Sequence, residues 1–313
     1  MTLAARALEF CARHGRWGLV VGLLAGLALP GLAQIMRPWL PHMVAGLLFI
    51  TAFRVGYKGS IGQVRAVPRV LAEVLILQLA LPLLALAIVF GFGLSATTAA
   101  LAVVLMLSAP SISGSPNFSV LVGHDPAPAM QILVMGMALF PLTILPVLLI
   151  LGPAFGDIGG VVVTSLRLSV VIFLATGLGF VTRHVVLPNP TPSQIQRLDG
   201  AGVLALAIIV VGLMAGIGPV FQADPLALAG WLALVFAANV GIQIAAFMLL
   251  PASPRAVPFS LIAGNRNVAL FLLVLPPELT GQLLPFIGCY QLPMYLTPVI
   301  MARLYGRHTT GDN

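Results

Sequence analysis

Asn117 and Asn267 stand at the ends of two matching frames, 150 positions apart (117 to 267): Ile112-Ser113-Gly114-Ser115-Pro116-Asn117 and Ile262-Ala263-Gly264-Asn265-Arg266-Asn267. Both read Ile-small-Gly-x-x-Asn, and both interrupt an apolar run. A carboxamide donates and accepts, so a matched pair can cap broken helices or bind a carboxylate or a sodium ion. Ser115 and Asn265 hold the equivalent place two residues earlier. Gly114 and Gly264 are expected to allow unusual backbone dihedrals or a close crossing of the two segments. A polar, glycine-containing break repeated in corresponding halves of a membrane chain points to a transporter's central site.

Arg266 lies inside the second frame. A charged side chain at the centre of a spanning helix costs roughly 2.5–3.5 kcal/mol on insertion scales and marks a functional position by default. No Asp or Glu falls in the middle of an apolar run: Glu73 and Asp199 lie near its edges, and Asp125 belongs to a loop. A bound anion would supply the counter-charge; the alternative is that Arg266 snorkels or pairs with helix-end carbonyls. Together Asn117, Asn267, Arg266, Asn265, Ser115, Gly114 and Gly264 make the expected substrate site.

Gln78, in Leu75-Ile76-Leu77-Gln78-Leu79, either lines a cavity or bridges helices, and with Ser113 and Asn117 it forms a possible residual ion site. Gln131 and Gln243 are weaker versions of the same signal. Arg167 is expected to snorkel, and His42 and His124 to be structural. Cys11 and Cys289, the two cysteines, read as small buried hydrophobes, with no disulfide framework and no metal motif. Paired carboxylates, a His-based metal motif and a nucleophile with its base are all missing from the pattern, so an enzyme is not expected and no cofactor is implied.

The elements that position these residues follow from composition. Charged residues make up 7% of the chain and mean hydropathy is +1.10. Such a chain cannot clothe itself for water, so lipid is its solvent. Runs long enough to cross a bilayer occur near 17–35, 38–55, 68–92, 95–122, 127–152, 159–181, 198–218, 226–250, 257–275 and 282–304. Nothing alternates in the manner of a membrane β-barrel. The expected fold is all-α, with ten transmembrane helices.

The net charge of +7 is topological. Arg6, Arg13, Arg16, Arg54, Lys58, Arg65, Arg69, Arg183, Arg197, Arg255, Arg303 and Arg307 fall in the termini and even-numbered loops; odd-numbered loops hold Arg37, with Asp157, Asp224 and Glu278. This positive-inside pattern puts both termini in the cytoplasm, with the bacterial inner membrane the expected location. Anionic lipid head groups, rather than nucleic acid, are the expected partners of that charge; oligomeric state is not readable.

A second echo supports a duplication: Phe140-Pro141-Leu142-Thr143-Ile144-Leu145-Pro146-Val147-Leu148 returns as Leu292-Pro293-Met294-Tyr295-Leu296-Thr297-Pro298-Val299-Ile300. Five spans per repeat is odd, so the second repeat enters the membrane inverted. The organisation is then a 1–16 cytoplasmic or interfacial segment, repeats at 17–152 and 153–304, and a 305–313 cytoplasmic tail whose 309–313 end is expected to be disordered. The first segment carries Leu3, Ala7, Phe10 and Cys11 at helical spacing among arginines, as an interfacial helix does. Basic residues, the apolar run from Trp17 and then Gly31-Leu32-Ala33 together look like a signal peptide, but cleavage would leave nine spans and break the symmetry. In hydrocarbon the two glycine-centred breaks are expected to meet and satisfy each other or a solute.

At these residues the chain resembles the bile acid:sodium symporter family, within the group that also holds arsenite efflux carriers. The resemblance rests on overall topology and on Ser-Ala-Pro-Ser-Ile-Ser-Gly-Ser-Pro-Asn at 108–117, His-Asp-Pro-Ala at 124–127 and Gly-Asn-Arg-Asn at 264–267. It implies a panel of spans 1, 2, 6 and 7, a core of spans 3–5 and 8–10, and broken, crossing spans 4 and 9. It also implies small or amphipathic organic anions as substrates, moved by alternating access. Asn117 and Gln78 match family positions. The family's sodium-site glutamate and glutamine fall here at Ile262 and Arg266, and its span-5 hydroxyls at Met130 and Val134. The arsenite carriers match less well, because their first-crossover cysteine has no counterpart beside Asn117.

Exchanging a carboxylate for a guanidinium environment changes the local charge by about two units, each about 4 kcal/mol at 4 Å and an effective dielectric near 20. Sodium is therefore expected not to drive this chain. The expected function is a secondary carrier of a small or amphipathic organic anion with degraded sodium sites. The alternatives are a sodium- or proton-coupled carrier of the same fold and a membrane sensor that binds without moving its ligand.

Overall fold

A chain this poor in charge must satisfy its backbone internally, and helices do so within one segment. The computed structural model describes residues 3–61, 67–94, 97–152, 158–273 and 275–306. Arg65, Asp157, Arg307 and the 309–313 tail, which entered the sequence reading, lie outside them. The first half holds α1 (Leu3–Arg13), α2 (Gly15–Ala28), α3 (Pro30–Met36), α4 (Leu40–Ile61), α5 (Val67–Leu75) and α6 (Leu81–Gly91). It continues with α7 (Thr98–Ser108), α8 (Ser115–Leu121) and α9 (Ala127–Ile150). Then come α10 (Ile158–Val186), α11 (Pro192–Leu213), α12 (Ile217–Ala223) and α13 (Pro225–Leu249). The chain ends in α14 (Ala256–Gly264), α15 (Pro277–Ile300) and α16 (Ala302–Gly306), with no strand among the described residues.

Among the described residues, seven helical stretches are long and apolar enough to cross a membrane: Pro30–Gly56, Val67–Gly91, Ala127–Ile150, Gly159–Val186, Pro192–Ala223, Pro225–Leu249 and Pro277–Gly306. This fits a multi-pass integral membrane protein. Along α10, Val163, Leu166, Val170, Phe173, Leu174, Leu178, Val181 and Val185 are exposed large apolar side chains at helical spacing, a face suited to lipid.

Seven is fewer than the ten spans expected, and the chain shows why. The run expected at 17–35 is two pieces, because Leu29 leaves helical geometry (φ −120°, ψ 64°) just before Pro30 opens α3. Proline pre-sets the first helical turn and cannot continue a preceding one. From there the helix runs through a tighter turn at Arg37–Trp39 into α4, so Arg37, expected in a loop, is helical. The runs expected at 95–122 and 257–275 are broken at 109–114 and 265–267. By contrast α9 continues through Pro141 and Pro146.

The chain divides into two compact units. One comprises Met1–Gly62, Arg167–Leu228 and Ala269–Gly288. Within it, α2 lies so close to α11 that a Cβ on Gly22 would strike the Ala207 carbonyl, and one on Gly26 the Val211 carbonyl and Met214. Small residues four apart let membrane helices approach this closely. The amphipathic α1 also rests on α11: Glu9 accepts from Arg197 Nε at 2.9 Å and from Ser193 Oγ at 3.0 Å. Those bonds hold the Glu9 carboxyl below its ordinary value, the Arg197 bond contributing most. At Gly56, with φ at +70°, the long stretch of α4 kinks, and Arg183 Nη1 donates to the freed carbonyls of Phe53 (3.2 Å) and Arg54 (3.3 Å).

The other unit comprises Gln63–Leu166, Ala229–Val268 and Cys289–Asn313. Its centre is α14, every residue of which is buried. One flank packs Phe259, Ile262 and Ala263 against Val70, Val74 and Leu77 and against Ala129 and Ile132 of α9. Another packs Val257 and Leu261 against Val122, Met301 and Tyr305. At the start of α14, Arg255 forms a two-pronged ion pair with Glu73 of α5 (2.6 and 2.5 Å) and donates to Gln131 Oε1 at 2.8 Å.

Candidate functional site

Pro110 disfavours helical geometry at the residue before it, and α7 accordingly ends with Ala109 extended at ψ 149°. Pro116, at the second position of α8, restarts the helix. In the second break Asn265 is extended (φ −106°, ψ 92°) after Gly264. The exposed main chain of the two breaks then pairs. Asn267 N–H donates to the Pro110 carbonyl at 2.8 Å and Ile112 N–H to the Asn265 carbonyl at 3.4 Å, an isolated antiparallel bridge between Ser111 and Arg266. The two breaks therefore meet and satisfy each other.

Arg266 sits at the bridge and is 1% exposed. Its guanidinium donates to three carbonyls at 3.1 Å each: Nε to Ala263, Nη1 to Ala109 and Nη2 to Leu77. Each acceptor has been released by a local feature of the chain. The amide that would close on Ala263, that of Asn267, goes to Pro110 instead. Ala109 lies past the end of α7. Between Ile76 and Ala80 the helix widens to i→i+5 bonding, with Leu81 N–H on the Ile76 carbonyl. The next partner in that register, for Leu77, is Pro82, which has no N–H.

The Arg266 main chain is fixed as well: its N–H donates to Tyr290 Oη at 2.8 Å, and that hydroxyl donates to the Gly264 carbonyl. Among the described residues no carboxylate forms an ion pair with Arg266, since the four pairs found are Arg54–Asp199, Arg69–Glu73, Arg197–Glu9 and Arg255–Glu73.

A buried polar cluster supports the second break from α13 and α15. Asn239 Nδ2 donates to the Gly264 carbonyl (2.6 Å) and to Asn265 Oδ1 (3.2 Å); Asn265 Nδ2 returns to the Leu261 carbonyl at 2.8 Å. Gln243 Nε2 donates to Asn239 Oδ1 (2.8 Å), Thr297 Oγ1 to Asn265 Oδ1 (3.1 Å) and Tyr305 Oη to Gln243 Oε1 (3.1 Å). At the first break, Ser111 Oγ donates to Ser115 Oγ at 2.8 Å, and Ser115 is buried.

Of the residues expected to bind solute, Arg266, Asn265, Ser115 and Gly264 are therefore turned inward and build the crossover itself. Ser113, Gly114 and Asn267 are half-buried and Asn117 is exposed. Among the described residues neither the Asn117 nor the Asn267 carboxamide has a hydrogen-bond partner, and neither caps a helix. Gln78 bridges helices: buried, it accepts from Thr143 Oγ1 at 3.1 Å, and its amide occupies the space a Cβ on Gly136 would need.

The paired glycines differ. A Cβ on Gly264 would fall on the Asn239 carbonyl oxygen and the Gln243 side chain, so its close approach is to α13 rather than, as the sequence suggests, to the other break. Gly114 has ordinary helical geometry (φ −80°, ψ −9°) and nothing nearer than Ile112 Cδ1 at 3.8 Å. Neither reason expected of it applies, because the first break turns on Pro110.

Asn239, Tyr290, Thr297 and Tyr305 join the site although neither of the two frames marks them for it. One signal was there to be found: Asn239 and Gln243 are four apart in an apolar helix, hence on one face. The bonds that join Tyr290 and Tyr305 to the cluster link residues far apart in the chain and leave no local trace.

A sodium ion, which the resemblance implies, does not fit this arrangement. The released carbonyls bond a guanidinium, and Gln78 Oε1 accepts from Thr143. No family model matches the chain, and no curated protein matches it.

Proposed function

We propose that the chain is a secondary carrier of a small or amphipathic organic anion, of the bile-acid-symporter type, working by alternating access around the paired breaks. Taking α2 by itself, α7 with α8, and α14 with the turn at Val268–Leu273 as three short or interrupted spans beside the seven long ones gives ten, as two inverted sets of five. Spans 4 and 9 are then the broken pair, both termini are cytoplasmic, and the bacterial inner membrane is the location.

The observation that carries this reading is the pair of carboxamides at the same place in the repeated frame, Asn117 and Asn267, without hydrogen-bond partners among the described residues, beside two helix breaks that bond each other. Asn117 is exposed and Asn267 half-buried, so both carboxamides are open to a solute, and at membrane depth an amide left without one would cost free energy. The charge favours an anion. Arg266 adds a positive charge that no described carboxylate cancels, and at low dielectric its field reaches well past contact distance.

The test is flux. The purified chain is placed in liposomes and challenged with labelled carboxylates, from short aliphatic acids to a bile acid, with unlabelled solute trapped inside. Saturable counterflow that empty liposomes lack is expected. Binding without counterflow would refute the carrier and select a sensor.

A further inference from the structure

We infer that the Arg266 guanidinium is a resident cation: it fills a carbonyl-lined site that, emptied of it, takes a small free cation. Three carbonyl oxygens from three separate segments, those of Leu77, Ala109 and Ala263, converge on one group at 3.1 Å each. Two of them terminate helices, where the backbone dipoles place partial negative charge. The third is freed by the wide turn before Pro82. Rings of main-chain carbonyls with no carboxylate are how proteins replace the hydration of a monovalent cation.

The occupant here cannot dissociate, because its own backbone is tied into the Ser111–Arg266 bridge and to Tyr290. The group is buried and no carboxylate pairs with it among the described residues, an arrangement that is costly unless those carbonyls need it. The device builds into the polypeptide what a coupling ion would otherwise supply. Its consequence for coupling, a carrier indifferent to the sodium gradient, rests on the function proposed above; the site itself does not.

The experiment therefore measures folding rather than flux. The full chain, in a Cys11→Ser background, is melted in detergent while a fluorogenic thiol dye reports exposure of the buried Cys289. Chlorides of N-methylglucamine, sodium, potassium and guanidinium are compared at equal ionic strength, with guanidinium far below denaturing levels. The parent protein is expected to melt at one temperature in all four salts. Arg266→Ala is expected to melt about 10 °C lower in N-methylglucamine, because three buried carbonyls lose their donors. Most of that loss should return with sodium, potassium or guanidinium.

Stabilisation of the parent by sodium or potassium overturns the inference, and so does an Arg266→Ala protein that melts like the parent or that no cation restores. Should Arg266→Ala yield no folded protein, Arg266→Lys and Arg266→Met decide. The lysine variant keeps charge and donors and must melt well above the methionine one; equal or reversed temperatures overturn it. A failure of counterflow in liposomes leaves all these outcomes untouched, so the two readings fall separately.

Discussion

Gly264→Ala and Gly114→Ala change the same position of the repeated frame and should behave oppositely. At Gly264 the added methyl meets the main-chain oxygen of Asn239, so α13 must shift away from α14. That shift stretches the 2.6 Å bond from Asn239 to the Gly264 carbonyl and the 3.2 Å bond to Asn265. Overpacking costs about 1–3 kcal/mol, and each weakened buried hydrogen bond about 1 kcal/mol. The sum is about 3–5 kcal/mol, a fall in melting temperature of about 6–20 °C at about 2–4 °C per kcal/mol.

At Gly114 the nearest atom is 3.8 Å away and the backbone is helical. Alanine there should lie between neutral and about 1 kcal/mol stabilising, through the unfolded chain. Thermal unfolding followed by the fluorescence of Trp17, Trp39 and Trp231 reads both. Adding Gln243→Ala to Gly264→Ala should not restore the parent value, because the hard contact is backbone. Two single variants melting within a degree or two of each other would refute the reasoning.

Other predictions concern the polar groups. Glu73→Gln should cost about 3–5 kcal/mol by stranding the part-buried Arg255 guanidinium, and Glu73→Gln with Arg255→Met should recover much of it; strictly additive effects in chemical denaturation would show that the pair is uncoupled. Asn117→Ala and Asn267→Ala should each leave stability within about 0.5 kcal/mol of the parent, having no partner to lose, while cutting counterflow at least about tenfold; lowered melting with intact flux would make them structural.

Glu9 is held below its ordinary value by Arg197 and Ser193. Its hold on α1 is therefore complete above the ordinary carboxylate value and lost as pH falls through the lowered one. After correction for intrinsic rates, hydrogen exchange in α1 should rise in that acid window in the parent and be pH-insensitive in Glu9→Gln.

Much of the helical architecture was legible because it rests on long apolar runs and on proline. The meeting of the two breaks was also legible, since main chain interrupted in oil has few other places to bond. The direction in which each polar side chain turns was not. Asn117 and, with a weaker claim, Asn265 are both expected from the sequence to bind solute, yet one is exposed and the other is claimed by Asn239, Leu261 and Thr297. That choice depends on which helix lies behind, a property of packing rather than of spacing. The first run failed for a local reason: Pro30 sits within an otherwise unbroken apolar stretch, and hydropathy does not register a missing amide. Glu73 and Arg255, 182 positions apart, carried no sign of their pairing.

The short bridge between the two breaks also limits how this part of the molecule can deform. Pulling it open inside a bilayer would leave two amides and the oxygens of Pro110 and Asn265 with nothing to bind, at several kcal/mol for each group. The two breaks thus form a single stiff piece of this unit, and in the carrier proposed above the working stroke would have to bend the polypeptide somewhere other than at its two interruptions.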